Sequence, residues 1–586
     1  MRADIPGDRI LLFDGAMGTW LQELGMEPGH CPDALCLEHS ELVSRIHRHY
    51  VEAGADIVET NTFGATPLRL SRHGLEHRVR DINIAAVRIA AEAVRGRAMV
   101  AGSMGPLGVL VEPLGETSFD EAYEAFAAQA DAFGEARPDF IIIETMGDLN
   151  ELRAAMLACK DRAPGIPVIA QMTLDPNGRT FTGTDPETAG LVMQSLGANA
   201  IGFNCSVGPD LLLPAVERLR RVARVPVSAQ PNAGMPVPGA GGRAVFPVGP
   251  EEFASFGPKL VAAGASLLGG CCGTTPDHIG RLRASVEGLE SPGGPGPLGR
   301  AFGLSSRTQS VFVTAENRPL VVGRIGAVLD GERKAETDRS ELSRVRSEAG
   351  RQVAGGAHVL DVRGLIGHER SDSIPSEVGR DDHLTMERAV RLAQKAARVP
   401  LCIGSEPPGA LEDALKACVG KPLVNGFTPG RGREDEVLRL VRRYGAAVVA
   451  RPAGEAVRGP GEPPDGRDPL ETARALVEAA SFHGIPCWDM VLDVTEFAAR
   501  GSEPAERAAR IVRAVRERLG CTVGIRIEGV RPAAAGVTPS GSPVRRVPDA
   551  NAIAAVLSAG VDVVFADAAD ESAMDLVRRY SARRNS

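Results

Sequence analysis

The chain has 586 residues, 43% of them hydrophobic and 24% charged, with a formal net charge of −9. That length suits two large domains or three to four average ones, and the composition is that of an ordinary globular protein. The acidic balance gives no electrostatic case for nucleic acid as a partner. No apolar run reaches the ~18 residues of a membrane span, so no membrane partner is expected. Met1 to Asp8 is short and polar and lacks the apolar centre of a signal peptide. Ten cysteines in a chain this long, two of them adjacent, do not resemble a secreted disulfide framework. A cytoplasmic protein is expected.

Short apolar runs alternate with longer amphipathic segments through the first half. The predicted strands are Ile10–Phe13, Ala55–Glu59, Ala98–Gly102, Asp139–Glu144, Pro167–Met172, Ala200–Phe203, Pro226–Ala229 and Ser266–Leu268. Helical patterns lie between them, among them Ser40–Ala53, Val79–Val94, Phe119–Phe133, Leu149–Cys159 and Pro209–Val222. Strands alternating with helices imply parallel βαβ units, and eight such units predict a (β/α)8 TIM barrel. An open doubly wound sheet is the other reading. It lacks its glycine-rich fingerprint, because Asp14-Gly15-Ala16-Met17-Gly18-Thr19 does not supply one.

Polar residues cluster just after the strands, on the face where barrels carry their chemistry. These are Asp14-Gly15, Glu59 to Gly64, Gly105 to Gly108, Glu144-Thr145-Met146, Cys205, Gln230 to Gly234 and Cys271-Cys272. The strongest signal is Gly269-Gly270-Cys271-Cys272-Gly273-Thr274, with Asn204-Cys205 upstream. Three thiolates at strand ends can hold one zinc and leave its fourth position open, as a catalytic zinc requires. Cys159, Cys402, Cys418, Cys487 and Cys521 read as core residues, since cysteine packs as a small hydrophobe. Cys31 and Cys36 read as loop cysteines, exposed or half buried.

These motifs resemble the homocysteine S-methyltransferase family. Asp14–Thr19, Glu59–Gly64, Glu144–Met146, Gly202–Ser206, Gln230–Gly234 and Gly269–Thr275 carry the resemblance across the whole first half. It implies that Cys205, Cys271 and Cys272 are zinc ligands and the catalytic centre. It implies that Asp14 and Glu144 hold the amino group of homocysteine, and that the backbone of Gly15, Ala16 and Met17 receives its carboxylate. Asn232 is a candidate for a side-chain oxygen that fills the open zinc position until substrate displaces it. Glu59 reads as a substrate contact or as a brace at the barrel mouth. The chemistry is coherent. A free thiol is mostly protonated at pH 7, and zinc coordination removes that proton. Three thiolates leave the site with an excess of negative charge, which keeps a bound sulfur nucleophilic.

Ser291 to Ser310, with its Pro-Gly-Gly-Pro-Gly-Pro run, reads as a hinge-like linker. The expected domains are therefore 1–290, a linker 291–310, and 311–586. Beyond the linker the predicted strands are Leu320–Gly323, Val359–Val362, Leu401–Ile403, Leu423–Gly426, Ala447–Ala450, Met490–Val494, Thr522–Ile527 and Val561–Ala566. Helices are predicted between them, for example over Glu341–Gly355, Met386–Ala397 and Glu506–Leu519. The expected fold is α/β, two TIM barrels in tandem. The second resembles the pterin-binding barrel that follows the homocysteine barrel in cobalamin-dependent methionine synthases. Asp361 and Asn425 match that family's polar positions and stand as candidate pterin contacts. The family's Glu-Arg-x-Asn, Asp-Ser and Ser-Asn stretches are replaced here by Gly323-Arg324-Ile325-Gly326, Gly404-Ser405 and Arg526-Ile527-Glu528, so three polar positions are lost. A pterin edge buried without partners loses about 1–3 kcal/mol per unpaired group, so altered or lost folate chemistry is favoured over intact use of 5-methyltetrahydrofolate. Arg324, Arg363, Arg526 and Glu528 are candidates for binding a different ligand.

The expected function is zinc-dependent methylation of homocysteine to methionine. The methyl is expected to come from a corrinoid supplied in trans, on a separate corrinoid protein, because no Asp-x-His-x-x-Gly stretch follows the barrels. Three alternatives stand beside it. The first is direct transfer from S-methylmethionine or betaine, mildly disfavoured by only two Trp and four Tyr for a cation cage. The second is fusion to a flavin-binding folate reductase barrel, and the third a non-enzymatic homocysteine or zinc sensor.

Overall fold

The computed structural model describes residues 5, 7–27, 29–238, 244–325, 338–362, 380–404, 408–427, 433–451, 469–495, 504–527 and 550–582. Gly326, Arg363, Ser405 and Glu528, singled out above, lie outside the described residues. The chain divides into two compact units, Met1–Arg300 and Ala301–Ser586. Among the described residues no helix is long and apolar enough to cross a membrane.

The first unit is built on eight parallel strands. They are β1 (Leu11–Leu12), β2 (Ile57–Glu59), β3 (Met99–Met104), β4 (Phe140–Met146), β5 (Val168–Met172), β6 (Ala200–Asn204), β7 (Val227–Gln230) and β8 (Leu267–Leu268). Neighbours in sequence are neighbours in the sheet, and β8 returns to pair with β1. The last gap is closed between β1 and β2. Asp56 donates its N–H to the Leu12 carbonyl at 2.7 Å, and Asp14 donates to Ile57 at 3.0 Å. Strands of a barrel are buried on both faces, which is why they read as unbroken apolar runs. Phe13, Ile57, Ala101, Phe140, Ile142, Ile169, Ala200 and Leu267 fill the interior. The helices that wrap it begin at side-chain caps: Ser118 and Glu121 form a capping box, and Asp185 accepts from the Thr188 N–H. One element was absent from the sequence reading, a short antiparallel hairpin pairing Val237–Pro238 with Ala244–Val245 between β7 and β8.

The second unit is a closed eight-stranded parallel barrel. Its strands are β9 (Leu320–Arg324), β10 (Val359–Asp361), β11 (Leu401–Ile403), β12 (Leu423–Phe427), β13 (Ala447–Ala450), β14 (Met490–Asp493), β15 (Thr522–Ile527) and β16 (Val563–Ala566). Two of its helices start earlier than their apolar periodicity shows, at Asp338 and Arg380. Their first turns are polar and carry no periodic signal.

The stretch read as a hinge, 291–310, is tied down at both ends. In the first unit, Gly296 and Leu298 donate their N–H groups to the carbonyls of Ala223 and Arg221 at 2.7 and 2.8 Å. The Arg220 guanidinium donates to the carbonyls of Pro292, Gly293 and Gly294. In the second unit, Gly303–Ser305 pairs with Ser310–Phe312 as an antiparallel hairpin. Phe302 and Leu304 are buried in the core of the second barrel beside Leu320, Val359 and Val563. Pro and Gly here shape tight turns rather than a free tether.

Candidate active site

Cys205 directly follows β6, and Cys271 and Cys272 follow β8. Their three sulfur atoms lie within 4.8 Å of one another, the sole such group of metal-binding side chains among the described residues. Cys205 Sγ and Cys272 Sγ are 3.8 Å apart. The end of β7 and the loop that follows it brace all three. Cys205 donates its N–H to the Gln230 carbonyl at 3.0 Å, Cys271 donates to Pro231 at 2.8 Å, and the Cys272 carbonyl accepts from Ala233 at 3.0 Å. The glycines of the motif are there for room. A Cβ on Gly270 would fall 2.4 Å from Thr274 Oγ1, and one on Gly273, at φ +79°, 2.2 Å from Phe246.

The backbone is strained where the sulfurs converge. Thr145, Cys205 and Ser206 hold left-handed φ angles of 58°, 61° and 61°. Such residues cost on the order of 1 kcal/mol or more each and persist where the surroundings over-determine them. Two other non-glycine residues with positive φ, Arg95 and Arg137, simply end helices.

Hydrogen bonds from the Cys271 and Cys272 thiols, helped by the Asn232 side chain, pull the Cys205 thiol down to about 3. Its two neighbours respond oppositely. Donating to Cys205 pushes Cys272 up to about 12 and Cys271 well above the usual thiol range. The trio thus carries one thiolate readily and resists the second and third without a cation. The Asn232 Oδ1 atom is buried and has no hydrogen-bond partner. Three soft sulfurs and one idle oxygen suit a zinc ion.

Asp14 and Glu144, both buried, and the half-buried Glu59 form an acidic group beside the sulfurs. Burial raises all three carboxyls above the ordinary range, and their mutual repulsion adds to the shift in Asp14 and Glu59. The Cys205 charge acts the same way on Glu144. Glu144 accepts from Ser103 Oγ at 2.6 Å and from Asn204 Nδ2 at 3.0 Å. Glu59 accepts from Gln230 Nε2 at 2.7 Å. Asp14 Oδ2 accepts from the Glu59 N–H at 3.1 Å, while Asp14 Oδ1 is buried without a partner. A clustered carboxyl set with an idle oxygen has the chemistry to receive a cation such as an ammonium.

The expected contacts are thus brought together, with one addition and one restriction. The addition is Glu59, which the acidic group joins as an equal member. Its supporting residues Ser103, Asn204 and Gln230 sit on β3, β6 and β7; Asn204 and Gln230 fall inside the Gly202–Ser206 and Gln230–Gly234 motifs, whereas no local motif signals Ser103. The restriction concerns the Gly15–Met17 backbone. Ala16 N–H already donates to Thr274 Oγ1 at 3.2 Å, so the remaining amides of that stretch are those of Gly15 and Met17. Thr274 Oγ1 in turn donates to the Cys271 carbonyl at 2.7 Å, linking the Gly15–Met17 stretch to the cysteine loop. Cys31 and Cys36 are buried, contrary to the loop reading. Cys31 donates to Asp33 and Cys36 to the Asn61 carbonyl.

In the second unit, Asp361 lies buried at the C-terminal end of β10 and Asn425 lies buried midway along β12. Asp493, at the end of β14, joins them and was missed in the sequence, where Leu492-Asp493-Val494 gives no motif. Arg526 donates through Nε to Asp493 Oδ2 at 2.7 Å and through Nη2 to Asn425 Oδ1 at 2.9 Å. Its guanidinium carbon lies 4.2 Å from the centre of the Phe565 ring. Arg451 also donates to Asn425 Oδ1. Arg324, Asp361, Arg526 and Phe565 border a cavity of ≈ 100 Å³.

Comparison with known proteins agrees with this division. Residues 11–286 match the model for homocysteine S-methyltransferase, and residues 331–566 match that for pterin binding enzyme. A methionine synthase from Mycobacterium tuberculosis is 30% identical over 542 residues, which is 88% of this chain and 44% of that protein. One from Mycobacterium leprae is 31% identical over 473 residues, 75% of this chain and 38% of that protein. The chain thus spans less than half the length of these curated relatives. The metallated form of the homocysteine methyltransferase MmuM from Escherichia coli is 25% identical, covering 47% of this chain and 96% of its own, with a TM-score of 0.41. The first unit is thus a barrel of the homocysteine S-methyltransferase type and the second one of the pterin-binding type, and the similarity to the Mycobacterium tuberculosis methionine synthase extends over 88% of the chain.

Proposed function

We propose that the first barrel methylates the sulfur of homocysteine to give methionine, using a zinc ion held by Cys205, Cys271 and Cys272. The observation that carries this reading is the adjacency of three converging sulfurs to an acidic group with an unpartnered oxygen. One group is suited to a thiol and the other to an ammonium, the two polar handles of homocysteine. A bound zinc would supply the positive charge that removes the substrate thiol proton at neutral pH, while the three cysteine thiolates would offset that charge and leave the substrate sulfur electron-rich.

This chain's own residues do the rest. Asp14 and Glu144, with Glu59, receive the amino group and fix the side chain's direction. Ser103 and Asn204 hold the Glu144 carboxyl in place. Asn232 Oδ1 is the oxygen that gives way when substrate sulfur arrives. The sulfur lone pair forms the S–CH3 bond as the bond from methyl to its carrier breaks, and that electron pair leaves with the carrier. No side chain need take a proton during the transfer, because the thiol proton departs on binding.

The methyl donor is proposed to be a methylcorrinoid, borne on a unit outside residues 1–586. Support comes from the two-barrel order shared with methionine synthases. None of the ten cysteines is paired in a disulfide, which is in keeping with the proposed cytoplasmic location. The test is to incubate zinc-loaded protein with homocysteine and methylcobalamin, follow the corrinoid spectrum and quantify methionine. Demethylation that matches methionine formed, and that disappears in Cys272→Ala, supports the reading. Methionine from S-methylmethionine but not from methylcobalamin moves the donor to a small sulfonium. Homocysteine binding with no turnover on any donor sinks the enzyme reading.

A further inference from the structure

The polar centre of the second barrel contains a complete set of partners for a planar, guanidine-like group, and that set is already in use. Asp493 offers a carboxylate, Asn425 an amide oxygen and Phe565 an aromatic face. Asp493 and Asn425 are buried, at 4% and 2% exposure. The group that engages all three is the Arg526 guanidinium, at 2.7 Å, 2.9 Å and 4.2 Å. Arg526 and Phe565 are register partners on adjacent strands β15 and β16, so the stacking is fixed by the sheet itself.

A pterin presents the same chemistry. The N1–C2–N3 edge of its pyrimidinone ring, with the 2-amino group, is a cyclic guanidine, planar and rich in N–H donors. Carboxylate and amide acceptors together with a ring face would recognise it. Two such groups cannot occupy one set of acceptors. The Asn425 amide also records the conflict. Its Oδ1 accepts from both Arg526 and Arg451, while its Nδ2 is buried with no partner. A ligand seated here would use both atoms of the amide. The cavity on the Arg324, Asp361 and Phe565 side of Arg526, which Asn425 and Asp493 do not line, is ≈ 100 Å³, well below the roughly 300–1,000 Å³ of ordinary ligand pockets.

We propose that Arg526 is a built-in occupant of this pterin-type site, a side chain that competes in cis with pterins and sets the second barrel's selectivity against them. This inference rests on reading the second unit as a pterin-type barrel, and is independent of the chemistry of the first. A tethered competitor acts at an effective concentration in the millimolar range. A pterin must displace it before making its own bonds, and must leave a guanidinium elsewhere. The site therefore admits a pterin only when Arg526 swings away, and the intact chain binds free pterins weakly.

The test is calorimetric titration of the full chain with 5-methyltetrahydrofolate and with 7,8-dihydropterin. Wild type is compared with Arg526→Ala and Arg526→Gln, the latter keeping side-chain bulk over Phe565. Circular dichroism and Trp488 fluorescence verify that each variant's second barrel is folded. The expected result is binding at least ten-fold tighter in Arg526→Ala than in wild type for both ligands, with Arg526→Gln between them. Three results overturn the proposal. Tight binding by wild type that weakens in Arg526→Ala makes Arg526 a ligand contact instead of a competitor. Equal affinity in all three proteins makes it a bystander. No binding by any folded variant means that the barrel does not hold pterins with or without the arginine. Methionine formation in the first barrel is not read in this experiment, so its outcome leaves the proposed methyltransferase activity to its own test.

Discussion

Three acids clustered out of bulk solvent, two of them buried and Glu59 half-buried, carry a stability cost that a cation can remove. Asp14, Glu59 and Glu144 all have raised pKa values in the fold, chiefly from desolvation. In the unfolded chain they titrate near pH 4. The folded state therefore holds more protons than the unfolded state above that pH, and the associated stability is lost as pH rises through the raised values. Each group contributes a slope of up to about 1.4 kcal/mol per pH unit in that window. The metal-free protein should accordingly melt at lower temperature as pH rises from about 5 to 8, and Glu59→Gln should flatten that trend. Scanning calorimetry across pH checks both, and a melting temperature that rises with pH in wild type counts against the acidic group as described. Binding selects the same residues. Glu144→Gln keeps the Ser103 contact but removes the charge facing an ammonium. Losing one charge-assisted bond of about 1.5–3 kcal/mol weakens homocysteine binding roughly ten- to hundred-fold. Titration of the zinc-loaded variant reads that directly, and an unchanged affinity would place the amino group elsewhere. For the metal, Cys205→Ala should bring zinc content by elemental analysis from near one per chain to near zero without loss of helical signal. Two sulfurs cannot make a three-sulfur site.

At the scale of elements, legibility followed the range of the interactions. Cys205, Cys271 and Cys272 could be read because each ends a short apolar run and the glycines sit beside them in sequence. Glu59 could not be ranked, because its role depends on Asp14 and Glu144, 45 and 85 positions away, and on Gln230 across the barrel. Asp493 was missed for the same reason, since Arg526 and Asn425 define its surroundings and neither is near it in sequence. The hairpin of Gly303–Ser305 and Ser310–Phe312 was hidden by composition, because Pro and Gly mark turns and tethers alike. Its burial makes a measurable claim. Leu304 is 1% exposed within the second barrel's core cluster. Leu304→Ala should destabilise that unit by about 2–5 kcal/mol, as large-to-small core changes do. A tether would tolerate the change. A second element-level contact lies nearby: Lys421, fully buried, donates to Asp489 at 2.6 Å, and its backbone exchanges hydrogen bonds with Ser305. This pair joins the segment before β12 to the turn before β14. Lys421→Ala leaves a carboxylate buried without its cation, at a cost of about 3–5 kcal/mol, whereas an apolar double replacement at 421 and 489 recovers most of the loss. Chemical denaturation of the three proteins separates these outcomes.

On the scale of the whole molecule, the division of labour follows from where the chemistry-bearing residues fall. Every residue assigned to sulfur, amino group and metal, from Asp14 to Cys272, belongs to the unit Met1–Arg300. The barrel of that unit closes on itself through the β1–β8 ladder and the Asp56 and Asp14 backbone bonds to β1 and β2. Its stability therefore requires no strand from the second unit, and the 296–299 segment completes its surface against the helix Pro209–Val222. Residues 1–300 expressed alone should fold, bind one zinc and bind homocysteine with an affinity within about three-fold of the full chain. The reasoning is that binding free energy is set by groups touching the ligand, and sites that share no partners contribute independently to within about 0.5 kcal/mol. Ending the fragment at residue 290 instead removes the backbone bonds made by Gly296 and Leu298 and the carbonyls that receive Arg220, and should lower its melting temperature. Calorimetry on the two fragments and the full chain makes the comparison. If residues 1–300 fold and hold zinc but bind homocysteine more than ten-fold more weakly, the amino-acid site is not contained in the first barrel, and the roles given to Asp14, Glu59 and Glu144 fail with it.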